Sequence, residues 1–115
     1  MATGIGPLVA EVQMQRVLDY FEIGRREGAA VVTGGKRQGE RGYYLSPMVF
    51  ASVAPQMRIS QEEIFGPVAA LISFADDEDA LRIPNGAVYS LAAGAWTADT
   101  ARAHRFTRRL KASTV

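Results

Sequence analysis

Gln61-Glu62-Glu63-Ile64-Phe65-Gly66-Pro67-Val68-Ala69-Ala70-Leu71-Ile72-Ser73-Phe74 is the stretch from which the fold can be read. Gly66-Pro67 stops whatever precedes it, because neither residue continues a helix well. Residues 68–74 then run apolar on both faces, with Ser73 the one polar residue. A strand with one wet face alternates apolar and polar, whereas a strand covered on both sides reads as a continuous apolar run. The run therefore predicts a strand inside a layered α/β domain. Just upstream, residues 60–65 predict a single helical turn closed by Gly66-Pro67.

Further toward the N-terminus, residues 43–53 are strand-like, and Pro47 either confines their pairing to an edge or splits the run. Residues 36–42 are polar and read as a solvated loop. Residues 29–33 predict a short buried strand stopped by Gly34-Gly35. Residues 7–27 predict a helix, with Val9, Val12, Val17, Tyr20 and Ile23 near one face and Arg16, Asp19 and Glu22 between them. Pro7 suits a first helical turn, and Gly28 suits a left-handed C-terminal position.

Toward the C-terminus, residues 76–83 predict a helix whose acidic start favours the helix dipole, with Pro84 ending it early. Residues 91–96 predict a small-residue strand. Asp99 can cap a last helix over residues 100–111, with Ala103, Phe106 and Leu110 inward. Residues 113–115 open another strand. Phe74 and Trp96 are core candidates, and His104 is a surface residue. The order of elements predicts an α/β layered fold with a mostly parallel sheet, and the sequence reads as part of a larger domain.

Composition narrows the chemistry. The chain has 115 residues, enough for one domain. With 48% apolar and 22% charged residues it is ordinary for a folded soluble protein, not a disordered one. Lys+Arg is 13 and Asp+Glu is 12, a balance that argues against a nucleic-acid partner. The uncharged stretches 42–57 and 83–98 fall short of the roughly 20 apolar residues of a membrane span. The N-terminal residues 1–6 lack the charged and apolar regions of a secretory leader, so the expected location is cytoplasmic. Cys is absent, and His104 is the one His. Disulfides, thiolate metal sites and cysteine nucleophiles within this chain are excluded, and no metal site is expected.

Two adjacent carboxylates before an aromatic residue make residues 61–67 the chemically interesting segment. Ser60 and Glu63 fit an S-x-x-E capping box, in which Glu63 would bond back to the Ser60 amide and Phe65 would be a packing residue. Alternatively, Glu63 accepts hydrogen bonds from a diol such as a ribose, with Phe65 beside a flat ring. The residues alone leave both open. Arg102, Arg105, Arg108, Arg109 and Lys111 make the last helix basic; a solvated face is favoured over an anion surface. Gly34-Gly35-Lys36 lacks phosphate-loop spacing and reads as a turn.

The segment closely resembles the E-E-I-F-G-P motif of the NAD(P)-dependent aldehyde dehydrogenase superfamily. The resemblance extends over nearly the whole chain in order. Gly6-Pro7-Leu8-Val9 with Gln13, Arg16 and Val17 resembles the family's G-P-L-V helix. Glu27-Gly28-Ala29 leading to Thr33-Gly34-Gly35 is similar to its E-G-A…T-G-G stretch, and residues 42–50 to its G-Y-x-x-x-P-T-V-F segment. Met57-Arg58-Ile59 precedes the motif as in the family. Asn85, Tyr89 and Leu91-Ala92-Ala93-Gly94 resemble its N-x-x-x-Y-G-L-A-A-G stretch. Pro84, before Asn85, and Ser90, in place of a Gly, depart from the pattern.

The resemblance implies aldehyde oxidation to carboxylic acids with NAD or NADP: a cysteine thiolate attacks the aldehyde, hydride passes to the nicotinamide, and a glutamate-activated water hydrolyses the thioester. It implies that Glu63 bonds the nicotinamide-ribose hydroxyls and that Phe65 lies near the nicotinamide. It also implies that residues 1–115 are a C-terminal segment of the catalytic domain, an α/β fold that is part of a three-layer αβα domain with a mostly parallel sheet, truncated at both ends. The catalytic Cys, the general-base Glu and the dinucleotide-binding domain then lie outside this chain. No catalytic residue is expected here, and the chain alone is expected to be inactive. Expected partners are the remainder of the dehydrogenase or further copies of the chain, with a small aldehyde as family substrate. The alternatives are a non-catalytic remnant and a split-enzyme subunit completed by a separately encoded chain.

Overall fold

The computed structural model describes residues 4–115. Met1, Ala2 and Thr3, part of the stretch read above for a leader, lie outside the described residues. The chain divides into two compact units, the first ending at Ser73 and the second spanning Phe74–Val115. No helix among the described residues is long and apolar enough to cross a membrane.

The first unit is built on a helix, α1 (Glu11–Arg26), against three strands, β1 (Ala30–Thr33), β2 (Met48–Ala51) and β3 (Val68–Ala70), with a short helix α2 (Arg58–Gln61) between β2 and β3. The strand order is β1-β2-β3. β1 runs antiparallel to β2, with an irregular register between Val31 and Thr33, and β2 runs parallel to β3. The sheet is thus mixed. A parallel pair needs a crossover connection, and the segment carrying α2 supplies it. Pro47 splits the expected 43–53 run, because it cannot donate to a ladder; β2 begins only at Met48. β3 is shorter than the apolar run suggested, although Leu71 still donates to the Phe50 carbonyl at 2.9 Å.

α1 starts later than expected. Pro7 lies before the helix, and Ala10 in extended conformation is the cap. Val9 and Val12 are 89% and 82% exposed. The buried stripe is instead Met14, Val17, Tyr20 and Gly24, at steps of three and four that keep one face on the sheet. Gly28 takes a positive φ of 96°, as its position after the helix requires. The core of this unit joins Tyr20, Ala29, Met48, Phe50, Val53 and Ile59, with Met14, Val17 and Leu45 beside it. β1 is not the buried strand expected, since its four residues are exposed. Gly34 and Gly35 take positive φ values of 83° and 77°, and the Gly35 amide donates to the Ser46 carbonyl at 3.3 Å.

The second unit pairs α3 (Asp77–Asn85) with α4 (Thr100–Arg109). The Asp76 and Asp99 side chains cap the two helices by accepting from the Asp79 and Arg102 amides at 2.9 and 3.1 Å. Pro84 does not end α3. It removes one backbone donor, and the helix closes one residue later where the Gly86 amide donates to the Arg82 carbonyl at 3.0 Å. Leu81 and Phe106 are buried, and Ala103 and Leu110 are half-buried, as the stripe in α4 predicted. Asn85 clips the two helices together. Its amide donates to the Arg109 carbonyl at 2.9 Å, and its oxygen accepts from the Lys111 amide at 2.7 Å.

Residues 91–96 and 113–115 form only a parallel bridge, Ala92 with Thr114, rather than full strands. Trp96 and Phe74 are 93% and 55% exposed, which overturns their reading as core. Positive φ outside glycine occurs, among the described residues, at Ser52 and Phe65. Ser90 therefore carries no left-handed strain.

Candidate functional site

The turn from Glu62 to Gly66 lies along one face of α1, and five consecutive residues of the turn meet that face. The Tyr20 hydroxyl donates to the Glu62 carboxylate at 2.5 Å. Arg16 Nη2 donates to the Glu63 carbonyl at 2.9 Å. Gln13 Nε2 donates to the Ile64 and Phe65 carbonyls at 2.9 and 2.8 Å. Gly66 closes against Val17, whose Cγ2 would stand 2.5 Å from any Cβ added there. Positions 13, 16, 17 and 20 recur at helical steps, so one stripe of α1 holds the whole turn.

α2 anchors the upstream end. Arg58 Nε and Nη2 grip the Glu62 carboxylate at 2.8 and 2.9 Å, a two-point charge-assisted contact. The Arg58 amide donates to the Glu27 carboxylate at 2.9 Å. The guanidinium carbons of Arg16 and Arg58 lie 5.5 and 5.7 Å from the Tyr20 ring centroid. Hydrogen bonds from Arg58 and then Tyr20 hold the Glu62 carboxyl down to about 2. The same bond to Glu62, together with burial, pushes the Tyr20 hydroxyl up.

This arrangement overturns the capping-box reading. Ser60 lies inside α2, and its amide donates to the Met57 carbonyl at 2.9 Å. The expected helical turn over residues 60–65 shifts upstream to Arg58–Gln61, and Glu62 is already extended. The Glu63 carboxylate makes no hydrogen bond within the described chain and is half-buried. Phe65 adopts φ 55°, a left-handed conformation, and its ring is 72% exposed. The structure thus sets an uncommitted carboxylate two residues from an exposed aromatic ring. Sequence reasoning named both residues but not the Tyr20–Glu62–Arg58 cluster. The signal for that cluster was the four-residue spacing of Arg58 and Glu62, and the signal for the bonds to residues 63–65 was Gln13 and Arg16, polar residues at helical spacing beside the apolar stripe.

A scan against family profiles matches the whole chain, residues 1–115, to the aldehyde dehydrogenase family. The chain belongs to that family. An aldehyde dehydrogenase from Aspergillus niger is 46% identical over 110 residues, which cover 96% of this chain and 22% of that protein. A betaine aldehyde dehydrogenase from Agrobacterium fabrum is 44% identical over 117 residues, covering 99% of this chain and 24% of that protein. Among solved structures, an NAD+ complex of the Bacillus cereus aldehyde dehydrogenase aligns at TM-score 0.95 and 45% identity, over 98% of this chain and 23% of that one. The Mycobacterium tuberculosis aldehyde dehydrogenase with NAD+ aligns at 0.92 and 43%, over 96% and 23%. This member of the family therefore spans between a fifth and a quarter of the length of these relatives.

Proposed function

We propose that this chain is a C-terminal segment of an aldehyde dehydrogenase catalytic domain and contributes the nicotinamide-ribose contact of a NAD(P)-dependent oxidation of aldehydes to carboxylic acids. The observation that carries the reading is the Glu63 carboxylate, left without a partner among the described residues while its neighbour Glu62 is fully engaged. A carboxylate accepts from both hydroxyls of a vicinal diol at once. The exposed Phe65 ring offers an apolar face to a flat heterocycle. Both residues fit a bound dinucleotide. When bound, that cofactor supplies the hydride acceptor. The NAD+ complexes of the Bacillus cereus and Mycobacterium tuberculosis relatives support this class of ligand.

What the chain's own residues do is bind and orient. Glu63 accepts, Phe65 flanks, and the α1 stripe holds the turn. The chain contains no cysteine, so it cannot itself present the thiolate that attacks an aldehyde. The purified chain should show no NAD-dependent aldehyde oxidation, and clear turnover would refute that. The ribose contact is tested with nicotinamide mononucleotide, which lacks the adenosine half. Saturation-transfer NMR should show contact at its ribose protons, lost in Glu63→Gln. Equal transfer in both proteins would sink the assignment of Glu63.

A further inference from the structure

Residues 63, 64 and 65 make no hydrogen bond to any other backbone group among the described residues. All three of their carbonyls are instead taken by two side chains, Arg16 and Gln13, that lie 47 to 52 positions away in sequence. The bond to the Ile64 carbonyl is partly buried and the other two are exposed, and all three donors come from one helix face. Phe65 is meanwhile held at φ 55°. A left-handed conformation disfavours an L-residue by roughly tenfold relative to the ordinary regions. Among the described residues no turn hydrogen bond offsets that cost locally, and the α1 donors at the carbonyls of residues 63–65 are the polar contacts that can.

We propose that Gln13 and Arg16 are positioning residues that fix the peptide planes of residues 63–65, so that α1 sets where the Glu63 carboxylate and the Phe65 ring stand toward a bound ribose and nicotinamide. The proposal rests on the ribose reading above for its ligand, but the geometry of the turn is independent of it. Gln13 holds two adjacent carbonyls with a single amide nitrogen, which makes it the most sensitive point of the clamp. Arg16 adds one charge-assisted bond at the Glu63 carbonyl. The ring of Tyr20 lies beside the Arg16 guanidinium and limits its movement.

The test uses the full chain labelled for NMR, with Gln13→Met, Gln13→Lys and Arg16→Met. Methionine keeps the side-chain size and removes the donors, while lysine restores a donor of similar reach. The three-bond amide coupling and carbon shifts of Phe65 report its φ without any ligand. The amides of Val31 and Phe50 report whether the β1–β2 core stays folded. Gln13→Met should move Phe65 out of the left-handed region with the core signals unchanged. It should weaken nicotinamide mononucleotide binding, followed by shifts at Glu63 and Phe65, by about tenfold. Gln13→Lys should recover both.

If Gln13→Met leaves Phe65 left-handed, the proposal is overturned; weakened binding in that case would make Gln13 a direct ligand contact instead. If the wild-type chain shows no ligand-dependent shift while Gln13→Met still releases Phe65, the ribose reading falls and the clamp stands. Should Gln13→Met lose its core signals, Arg16→Met decides the same question through the Glu63 carbonyl.

Discussion

Glu62 and Glu63 are adjacent carboxylates with opposite fates, and the difference comes from their neighbours. Glu62 is gripped by Arg58 and Tyr20, and its carboxyl is held at about 2 against an ordinary 4.5. A group whose folded pKa is depressed stabilises the fold above its unfolded value and ceases to do so as pH falls through the folded one. The Glu62 contribution is therefore intact above about pH 5 and fades between roughly 4.5 and 2. Other carboxylates titrate in that window, so the informative quantity is a difference. The gap in melting temperature between wild type and Glu62→Gln should be widest near neutral pH and should close as pH approaches 2. A gap that stays constant across the acid range would show that the Arg58 contact is not coupled to stability. The other member of the pair, Glu63, has no such anchor among the described residues, which is why the proposed ribose contact falls to it.

At the scale of elements, the closeness of α1 to β2 is the decisive packing. A Cβ on Gly24 would stand 2.7 Å from Phe50 Cζ, and Phe50 is fully buried. Two effects compete in Gly24→Ala. Helix propensity favours alanine by about 1 kcal/mol. Overpacking against a rigid ring that cannot retreat costs about 1–3 kcal/mol. The second should win, so Gly24→Ala lowers the denaturation midpoint, and the double variant Gly24→Ala with Phe50→Leu should recover part of the loss. A stabilised Gly24→Ala would mean that the helix can lift off the sheet.

The same scale shows what could be read ahead of the structure. The existence of α1, β1, β3, α3 and α4, the cap at Asp99, and the Ala103–Phe106–Leu110 stripe follow from local pattern, which local physics enforces. The start of α1 was misjudged because Val9 and Val12 continue the apolar periodicity without being buried. The turn after α2 was misjudged because residues 63–65 are held by side chains some fifty positions away, a contact that no local pattern encodes. The roles of Glu63 and Phe65 were proposed from a motif resemblance; the network that supports their turn came only with the structure. The basic face of α4 was read as solvated. The structure adds its ion pairs, Arg102 and Arg105 with Asp77 and Arg109 with Glu78, the last with both nitrogens within 2.6 Å. Exposed pairs of this kind each add little to stability, and they engage three of the five basic residues between Arg102 and Lys111.

For the whole molecule, the open question is what covers its apolar surface. In the first unit Val9, Val12, Val32 and Leu71 are exposed, and in the second so are Phe74, Val88, Leu91 and Trp96. Scattered apolar residues on a surface are ordinary, but so many large ones on a small chain mark surfaces that meet something else. Uncovered in water, each would gain roughly 1.5–3 kcal/mol from full burial, so association of the chain with itself is the expected outcome when nothing else is present. Trp96, the one tryptophan and 93% exposed, reports this directly. In dilute solution its fluorescence should be that of a water-exposed indole, readily quenched by iodide. As concentration rises into the micromolar range, sedimentation velocity should show species heavier than the 12.4 kDa chain. If Trp96 lies in the contact, its emission should shift blue and resist quenching in the same range. A monomer that persists through high concentration would show that these apolar positions are too dispersed to drive assembly, and the case for a covering chain would then rest on the family match alone.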